Sequence, residues 1–325
     1  MKKVRLVGTD ITTSCLGFGC AQLMRILSDK LRQRLLNEAY DAGVCHFDVA
    51  RMYGLGAAEG ELGKFARDKR DKLVLATKFG IDLNPKGARA ARLQSAGRRL
   101  VTIFPVLRAL ARRRTGALLA PRRYDAAKAR SSLETSLREL GTDYVDLFLL
   151  HEPTLEDVVN SDVMEFLNVA RSQGKIRAYG ISGAIHDVVA ICRNVPELAP
   201  IVQIPNDAVT RNIDLLVPYA NRAIVTYSPF SNALKQIVDR FDLAPYVLDR
   251  GIKTTGKDRM STDEIAFLLL RYCLHANPSG VVVFSTTKPE RLKMLAQAAA
   301  EESSVDLSLR SFLGYIDDEI RTPRH

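Results

Sequence analysis

The sequence contains no run approaching the roughly 18 apolar residues that a membrane-spanning helix needs. Lys2 and Lys3 stand at its start, but no apolar stretch like that of a signal peptide follows them. We therefore expect a soluble, cytoplasmic protein without a stable membrane anchor.

Cysteine is scarce and widely spaced. The five cysteines are an odd number, and none of them form a C-x-x-C pair. This pattern argues against a disulfide framework and against a structural zinc site, and it favours a reducing compartment.

Acidic residues are missing from one long segment. Between Lys86 and Arg123 the sequence holds eleven Lys or Arg residues and no Asp or Glu. The whole chain has a formal net charge of +10, so the rest of it is close to neutral. Such a distribution does not fit a uniformly basic nucleic-acid binder, and we expect no nucleic-acid partner.

Short apolar runs alternate with helical patterns along the chain. Apolar runs without polar alternation are typical of strands that are buried on both faces of a parallel sheet. Eight such runs are present, at residues 15–19, 44–50, 73–78, 145–151, 176–182, 201–205, 223–228 and 281–285.

Capping signals mark helices between these runs. Asp125 predicts a helix that runs to Leu140 and stops at Gly141. Thr154, with an acid three residues later, predicts a single helix that ends near Gly174.

Eight strand-then-helix units favour a closed (β/α)8 TIM barrel, and we expect residues 1–325 to form one such barrel. An open doubly wound sheet is the alternative. No G-x-G-x-x-G motif follows the first predicted strand, so the fingerprint that would favour the open sheet is missing.

Residues 84–124 exceed what a barrel needs between a strand and its helix, and part of this segment is amphipathic and rich in arginine. We interpret them as a basic helical insertion after strand 3. A solvated surface helix, a lid that attracts an anionic substrate, a partner-docking helix and a helix on anionic lipid all remain open. Because the insertion follows the strand that carries Lys78, its base is expected at the mouth of the barrel, which favours the lid.

Polar residues end three successive predicted strands, where the active sites of such barrels lie. They are Asp48, Lys78 and His151, and Tyr53 follows Asp48 in the next turn. A nearby ammonium lowers the pKa of a phenol from about 10 by roughly 1–3 units, so Lys78 is expected to make Tyr53 more acidic. Asp48 can keep Lys78 protonated, and His151 can orient a carbonyl oxygen. This set can protonate an oxygen, which is half of a carbonyl reduction, and the hydride would come from a cofactor.

Other interpretations of these residues remain. Asp48 and Lys78 could form a structural ion pair without chemistry. His46 shares the face of Asp48 by strand alternation, and we expect it to pack rather than react. A zinc site formed by His46, Asp48 and His151 is a remote alternative, since no H-x-x-x-H pair or cysteine cluster supports it.

Four motifs in order make the sequence resemble the aldo-keto reductases. They are GVCHFDVARMYG (43–54), TKFG (77–80), SLRELGTDYVDLFLLHEP (136–153) and GKIRAYGIS (174–182), and the resemblance continues at residues 201–207, 225–230 and 288–292. The resemblance implies a (β/α)8 barrel that uses NAD(P)H to reduce aldehydes or ketones. A small carbonyl compound, with an anionic one as an option, would be the substrate.

The resemblance also implies roles for individual residues. The implied catalytic residues, with Tyr53 as general acid, are Asp48, Tyr53, Lys78 and His151. The implied cofactor-binding residues are Ser182 and Gln203 at the nicotinamide carboxamide, Tyr227 stacked on the nicotinamide, Ser285, Thr286 and Arg291 at the adenosine 2′-phosphate, and Ser228 without an assigned part of the cofactor.

The sequence departs from the family pattern in several places. Gly183 stands where Asn is usual, and the loop after strand 7 lacks the glycines that commonly cover the pyrophosphate. Ser285 stands where many members have Lys, although Arg291 can still hold a phosphate bidentately. We expect NADPH as cofactor, with NADH as the alternative.

A second function remains open: a cofactor-binding barrel that acts as a regulatory or docking subunit through its basic insertion. The altered loop after strand 7 motivates it, and the four intact catalytic residues count against it. The sequence leaves the oligomeric state open.

Overall fold

The computed structural model describes residues 1–84, 119–230, 233–237, 261–300 and 314. The strands in these ranges are β1 Lys3–Arg5, β2 Thr12–Ser14, β3 Leu16–Gly19, β4 His46–Asp48, β5 Val74–Phe79, β6 Val145–His151, β7 Ile176–Ser182, β8 Ile201–Pro205, β9 Ala223–Tyr227 and β10 Val281–Phe284. The α-helices described in full are α1 Asp29–Asp41, α2 Ala58–Ala66, α3 Ala126–Leu140, α4 Leu155–Val158, α5 Val163–Ser172, α6 Ile185–Asn194, α7 Thr262–Ala276 and α8 Pro289–Ala300. Within these ranges, no helix combines the length and the apolar character that a bilayer crossing requires.

Strands β3 to β10 form a closed barrel. They follow one another in chain order, every neighbouring pair is parallel, and β10 pairs with both β9 and β3. Seven of the eight apolar runs contain one barrel strand each, and the run at 73–78 ends one residue before β5 does. The strand residues are almost all buried. The predicted (β/α)8 barrel is confirmed, and the alternative of an open doubly wound sheet is wrong.

Two short strands precede the barrel and were not predicted. β1 and β2 pair antiparallel around a turn in which Gly8 has a φ of +73°. The apolar side chains Val4, Leu6 and Ile11 of this hairpin are buried. Each strand has three residues, which is too short to show a period-2 pattern in the sequence.

Helix α3 follows its prediction. The Asp125 side chain accepts a hydrogen bond from the Lys128 backbone N–H at 2.7 Å, and Gly141 ends the helix in the left-handed region with a φ of +65°.

The single helix predicted after Thr154 is wrong, because α4 ends at Val158 and α5 begins separately. The Ser161 hydroxyl lies between them, where it donates to the Tyr124 carbonyl oxygen at 2.6 Å and accepts from the Val163 N–H at 3.2 Å. A side chain that bonds to backbone groups in this way competes with helix continuation.

The two ends of the predicted insertion meet beside the end of β5. Leu83 and Leu119 form an antiparallel bridge, and the Ala120 N–H donates to the Asp82 carbonyl oxygen at 2.8 Å. Residues 85–118 lie outside the described part of the chain. The division of the chain into one barrel with an insertion at 84–124 therefore stays a prediction.

Candidate active site

Three neighbouring strands place polar side chains in one layer of the barrel. His151 at the end of β6 is the register partner of Ser182 at the end of β7, and Ser182 is the partner of Gln203 in β8. Register partners on parallel strands point to the same side of a sheet. These side chains, together with Asp48 and Lys78 from β4 and β5, therefore face the same end of the barrel interior.

A cavity of about 620 Å³ opens at the C-terminal ends of the strands, which is a size typical of ligand sites. All eleven residues named as site candidates from the sequence line it, namely Asp48, Tyr53, Lys78, His151, Ser182, Gln203, Tyr227, Ser228, Ser285, Thr286 and Arg291. The structure thus brings the whole predicted set to one cavity.

Asp48 is the centre of a buried polar group. The Lys78 ammonium donates to Asp48 Oδ1 at 2.5 Å, and the Gln203 Nε2 amide donates to Asp48 Oδ2 at 2.8 Å. Lys78 also donates to the Val49 carbonyl oxygen at 3.2 Å. All three residues are at most 4% exposed, so the buried carboxylate fixes the positions of both donors.

Tyr53 lies against this group. Its ring centroid is 6.0 Å from that of His151 in an edge-on arrangement, and the Lys78 Nζ lies 5.3 Å from the centroid of the Tyr53 ring. Burial raises the pKa of Tyr53 above its ordinary value, while the charge of Lys78 and a hydrogen bond with it act in the lowering direction. The predicted net lowering of the Tyr53 pKa is therefore wrong: desolvation outweighs the ammonium, and the phenol stays protonated at neutral pH.

The two neighbours of Tyr53, Lys78 and His151, differ in charge. Burial favours a neutral Lys78 amine, but the Asp48 carboxylate and Tyr53 outweigh it and raise the pKa of Lys78. Burial, with the charges of Lys78 and Arg122, lowers the pKa of His151 to about 3. At neutral pH the site therefore contains a cationic Lys78 and a neutral His151.

Gln203 has the chemistry to hold a primary amide. Its Nε2 is used by Asp48, but its Oε1 is buried and has no hydrogen-bond partner among the described residues. A buried acceptor without a donor is costly, so an N–H of a ligand amide would satisfy it. This fits the carboxamide of a nicotinamide cofactor.

The far end of the cavity has cationic side chains. Arg291 and Lys288 line it beside the start of α8. The Ser285 hydroxyl donates to the Gly19 carbonyl oxygen at 2.7 Å, so it connects the ends of β10 and β3. A phosphate at this end would meet the guanidinium of Arg291.

Glu59 is a buried residue that the sequence did not single out. Its Oε1 accepts from the Thr77 hydroxyl at 2.7 Å, and its Oε2 accepts from Arg51 Nη1 at 2.5 Å. Thr77 directly precedes Lys78, and Arg51 lies two residues before Tyr53. Glu59 therefore ties the turn that carries Tyr53 to the strand that carries Lys78. In the sequence it looks like any exposed charge in a helix, so no signal marks it.

Residues before α3 also hold the site and were missed. The buried Tyr124 hydroxyl donates to the His151 carbonyl oxygen at 2.6 Å. Arg122 donates to the carbonyl oxygen of Glu152 at 3.0 Å and to its carboxylate at 3.1 Å. Glu152 lines the cavity with a φ of +55°, a strained value for a residue with a side chain. In the sequence Arg122 and Tyr124 fall inside the interpreted insertion, so they were not connected with His151.

His46 lies in β4 two residues before Asp48 and is fully buried. Both of its ring nitrogens lack a hydrogen-bond partner among the described residues, and burial lowers its pKa to about 4. The structure therefore holds His46 as a neutral side chain. Within the described ranges, no three His, Cys, Asp or Glu side chains come together as a metal site.

The buried His46 predicts a loss of stability in acid. The unfolded chain protonates this residue near pH 6.5, whereas the folded chain does so only near pH 4, so the unfolded state holds more protons between these values. The free energy of unfolding should therefore fall as the pH drops from 6.5 to about 4. In His46→Leu, the slope in this window should be smaller by up to about 1.4 kcal/mol per pH unit. Urea unfolding at several pH values measures it, and an unchanged slope would contradict the buried neutral His46.

The barrel is closed and parallel, and Tyr53, Lys78, Asp48 and His151 line a cavity at the C-terminal ends of its strands. These are the features of an oxidoreductase built on a (β/α)8 barrel. The sequence matches the model of the Aldo/keto reductase family over residues 15–306, and the chain belongs to this family. It is similar to a D-threo-aldose 1-dehydrogenase from a Pseudomonas species, with 34% identity over 188 residues, which cover 56% of this chain and 53% of the relative. It is also similar to a probable aldo-keto reductase 1 from Glycine max, with 29% identity over 240 residues, 70% of this chain and 59% of the relative.

Solved structures share the fold. An aldo-keto reductase from Bacillus halodurans in its holo form has a TM-score of 0.72 at 21% identity and covers 99% of this chain and 100% of its own. An aldo-keto reductase from Klebsiella pneumoniae in complex with NADPH has a TM-score of 0.69 at 20% identity and covers 100% of this chain and 98% of its own. The chain spans about half the length of the curated relatives that it matches.

Proposed function

We propose that this protein is an NAD(P)H-dependent reductase that converts an aldehyde or a ketone to an alcohol, with Tyr53 as the general acid. One observation carries the proposal: the half-buried phenol of Tyr53 and a buried ammonium, carboxylate and imidazole converge in one cavity. The same cavity contains the free acceptor Gln203 and the cation Arg291. One end of the cavity thus suits an oxygen to be protonated, and the rest suits a long anionic cofactor.

Residues of the cavity are proposed to position the cofactor. Gln203 and Ser182 would hold its carboxamide, Tyr227 would lie against the nicotinamide ring, and Arg291 would meet the phosphate on the adenosine. When bound, the reduced nicotinamide supplies the hydride that this chain's own side chains cannot provide.

Tyr53 is proposed to donate its proton to the carbonyl oxygen. Its raised pKa keeps the phenol protonated at neutral pH, so the acid form is fully available. Lys78, held cationic by Asp48, stabilises the phenolate that remains after donation. A neutral His151 has one N–H. This N–H can donate a hydrogen bond to the same carbonyl oxygen and so orient the substrate.

The comparisons support this class of chemistry. One relative is an aldose dehydrogenase, and one solved structure of the same fold is a complex with NADPH. The sequence between Lys86 and Arg123 has eleven cationic side chains, and Leu83 and Leu119 pair beside β5 near the two ends of the insertion. This concentration of positive charge supports an anionic carbonyl substrate. The alternative of a docking subunit depends on the same segment, and no described contact favours it.

The test is oxidation of NADPH, followed by its absorbance, against a panel of neutral and anionic aldehydes and ketones. Turnover with at least one carbonyl compound, with an equal amount of alcohol formed, is expected. Tight binding of NADPH without turnover of any panel member would favour the docking subunit instead. The protein is purified free of bound cofactor, and a reaction without a carbonyl compound gives the baseline rate of NADPH oxidation.

A further inference from the structure

A carboxylate binds the arginine at the cationic end of the cavity. The Arg291 Nε donates to Asp263 Oδ1 at 3.0 Å. Arg291 lies on α8, whereas Asp263 lies in the first turn of α7, so two helices bring an acid and a base together. Neither the closure of the barrel nor the Tyr53 group requires this pair.

The two side chains favour different groups on an adenosine ribose. A guanidinium fits a 2′-phosphate and can bind it bidentately, whereas a carboxylate accepts hydrogen bonds from ribose hydroxyls and repels a phosphate. A site with both a guanidinium and a carboxylate should therefore exclude neither the dinucleotide with a 2′-phosphate nor the one without it. A phosphate would have to bind Arg291 in the presence of the negative charge of Asp263.

The pair is accessible to a ligand. The side chain of Arg291 is 40% exposed and that of Asp263 is 55% exposed, so water screens their attraction and it is weak enough to be rearranged. Lys288 is exposed at the same end, while the Thr286 hydroxyl accepts from the Lys288 N–H at 3.1 Å and also lines the cavity. Arg291 thus places a guanidinium at this end of the cavity, and Asp263 is the carboxylate that binds it.

We propose that Asp263 is a specificity-determining residue: by holding Arg291, it lowers the preference for NADP(H) over NAD(H), so that the protein binds both. The inference rests on the proposed function, because it requires a nicotinamide dinucleotide in the cavity. Asp263 acts here through Arg291 and is not a catalytic residue.

Isothermal titration of the full chain with NADP⁺ and with NAD⁺ tests the inference without any turnover. Asp263→Asn should bind NADP⁺ about tenfold more tightly, because it frees Arg291 and removes a like charge, and each effect contributes up to about fivefold. Its affinity for NAD⁺ should change by less than about twofold. The gain should shrink at high salt, since the groups are exposed.

Two further variants separate the mechanism from a general change of charge. Glu290→Gln removes an exposed carboxylate directly beside Arg291 in the sequence and should change NADP⁺ affinity by less than about twofold. In an Arg291→Gln background, the gain from Asp263→Asn should fall from about tenfold to at most about fivefold, because only the removal of the like charge remains.

Several results would overturn the inference. They are an unchanged ratio of the NADP⁺ and NAD⁺ affinities in Asp263→Asn, an equal gain in Glu290→Gln, or an undiminished gain of about tenfold in the Arg291→Gln background. If the wild-type chain binds neither dinucleotide, the proposed function fails, and this inference fails with it. If the chain binds both and only the ratio does not respond, the proposed function stands and Asp263 has no role in selection.

Discussion

Tyr53→Phe is expected to lower kcat for carbonyl reduction by about a thousandfold and to leave the affinity for NADPH within about threefold of wild type. The hydroxyl is needed mainly in the transition state, where it donates its proton, so its loss should appear in kcat and kcat/KM together. The ring itself, which lies edge-on to His151, stays in place in the variant. Steady-state kinetics and a binding titration measure the two effects.

Tyr40→Phe is the matched control for this variant. It removes the same hydroxyl from a half-buried tyrosine on helix α1, outside the cavity lining, and should leave kcat within about twofold. If Tyr53→Phe keeps more than about a tenth of the wild-type kcat, Tyr53 is not the proton donor, and the group around it has another purpose.

Lys78→Met is the second variant with a large expected effect. It removes the cation that stabilises the phenolate, so kcat should fall by at least about a hundredfold. It also leaves the Asp48 carboxylate buried without its ammonium partner, and breaking such a buried pair costs about 3–5 kcal/mol. The free energy of unfolding, measured with urea, should therefore fall together with kcat.

The double variant Lys78→Met with Asp48→Asn separates the two effects. Neutralising Asp48 removes the unpaired buried charge, so much of the lost stability should return. Activity should not return, because the cation beside Tyr53 is still missing. Recovery of both stability and activity in the double variant would show that the Asp48–Lys78 pair is only structural.

The barrel and its candidate site residues could be predicted from the sequence because both depend on local patterns. Each barrel strand is an apolar run buried on both faces, and Asp48, Lys78 and His151 stand at the ends of such runs. The C-terminal ends of parallel strands meet by geometry, so residues far apart in the sequence were expected at one mouth.

Properties that depend on packing could not be predicted. The pKa of Tyr53 rises because burial outweighs the charge of Lys78, and the extent of burial is not visible in the sequence. The break after α4 depends on a contact between Ser161 and Tyr124, which lie 37 positions apart. The hydrogen bond from the Tyr124 hydroxyl to the His151 carbonyl oxygen also joins residues far apart in the sequence, so it could not be predicted either.

The most direct test of the central claim follows where each hydrogen goes during one reduction. The reaction is run in ordinary water with NADPH in which both hydrogens on C4 of the nicotinamide ring are replaced by deuterium. The alcohol is then analysed by NMR. One deuterium on the carbinol carbon is the predicted result, because the hydride comes from the cofactor and Tyr53 protonates only the oxygen. Product without deuterium on the carbinol carbon, or deuterium on that same carbon after a reaction in heavy water with unlabelled NADPH, would contradict the account.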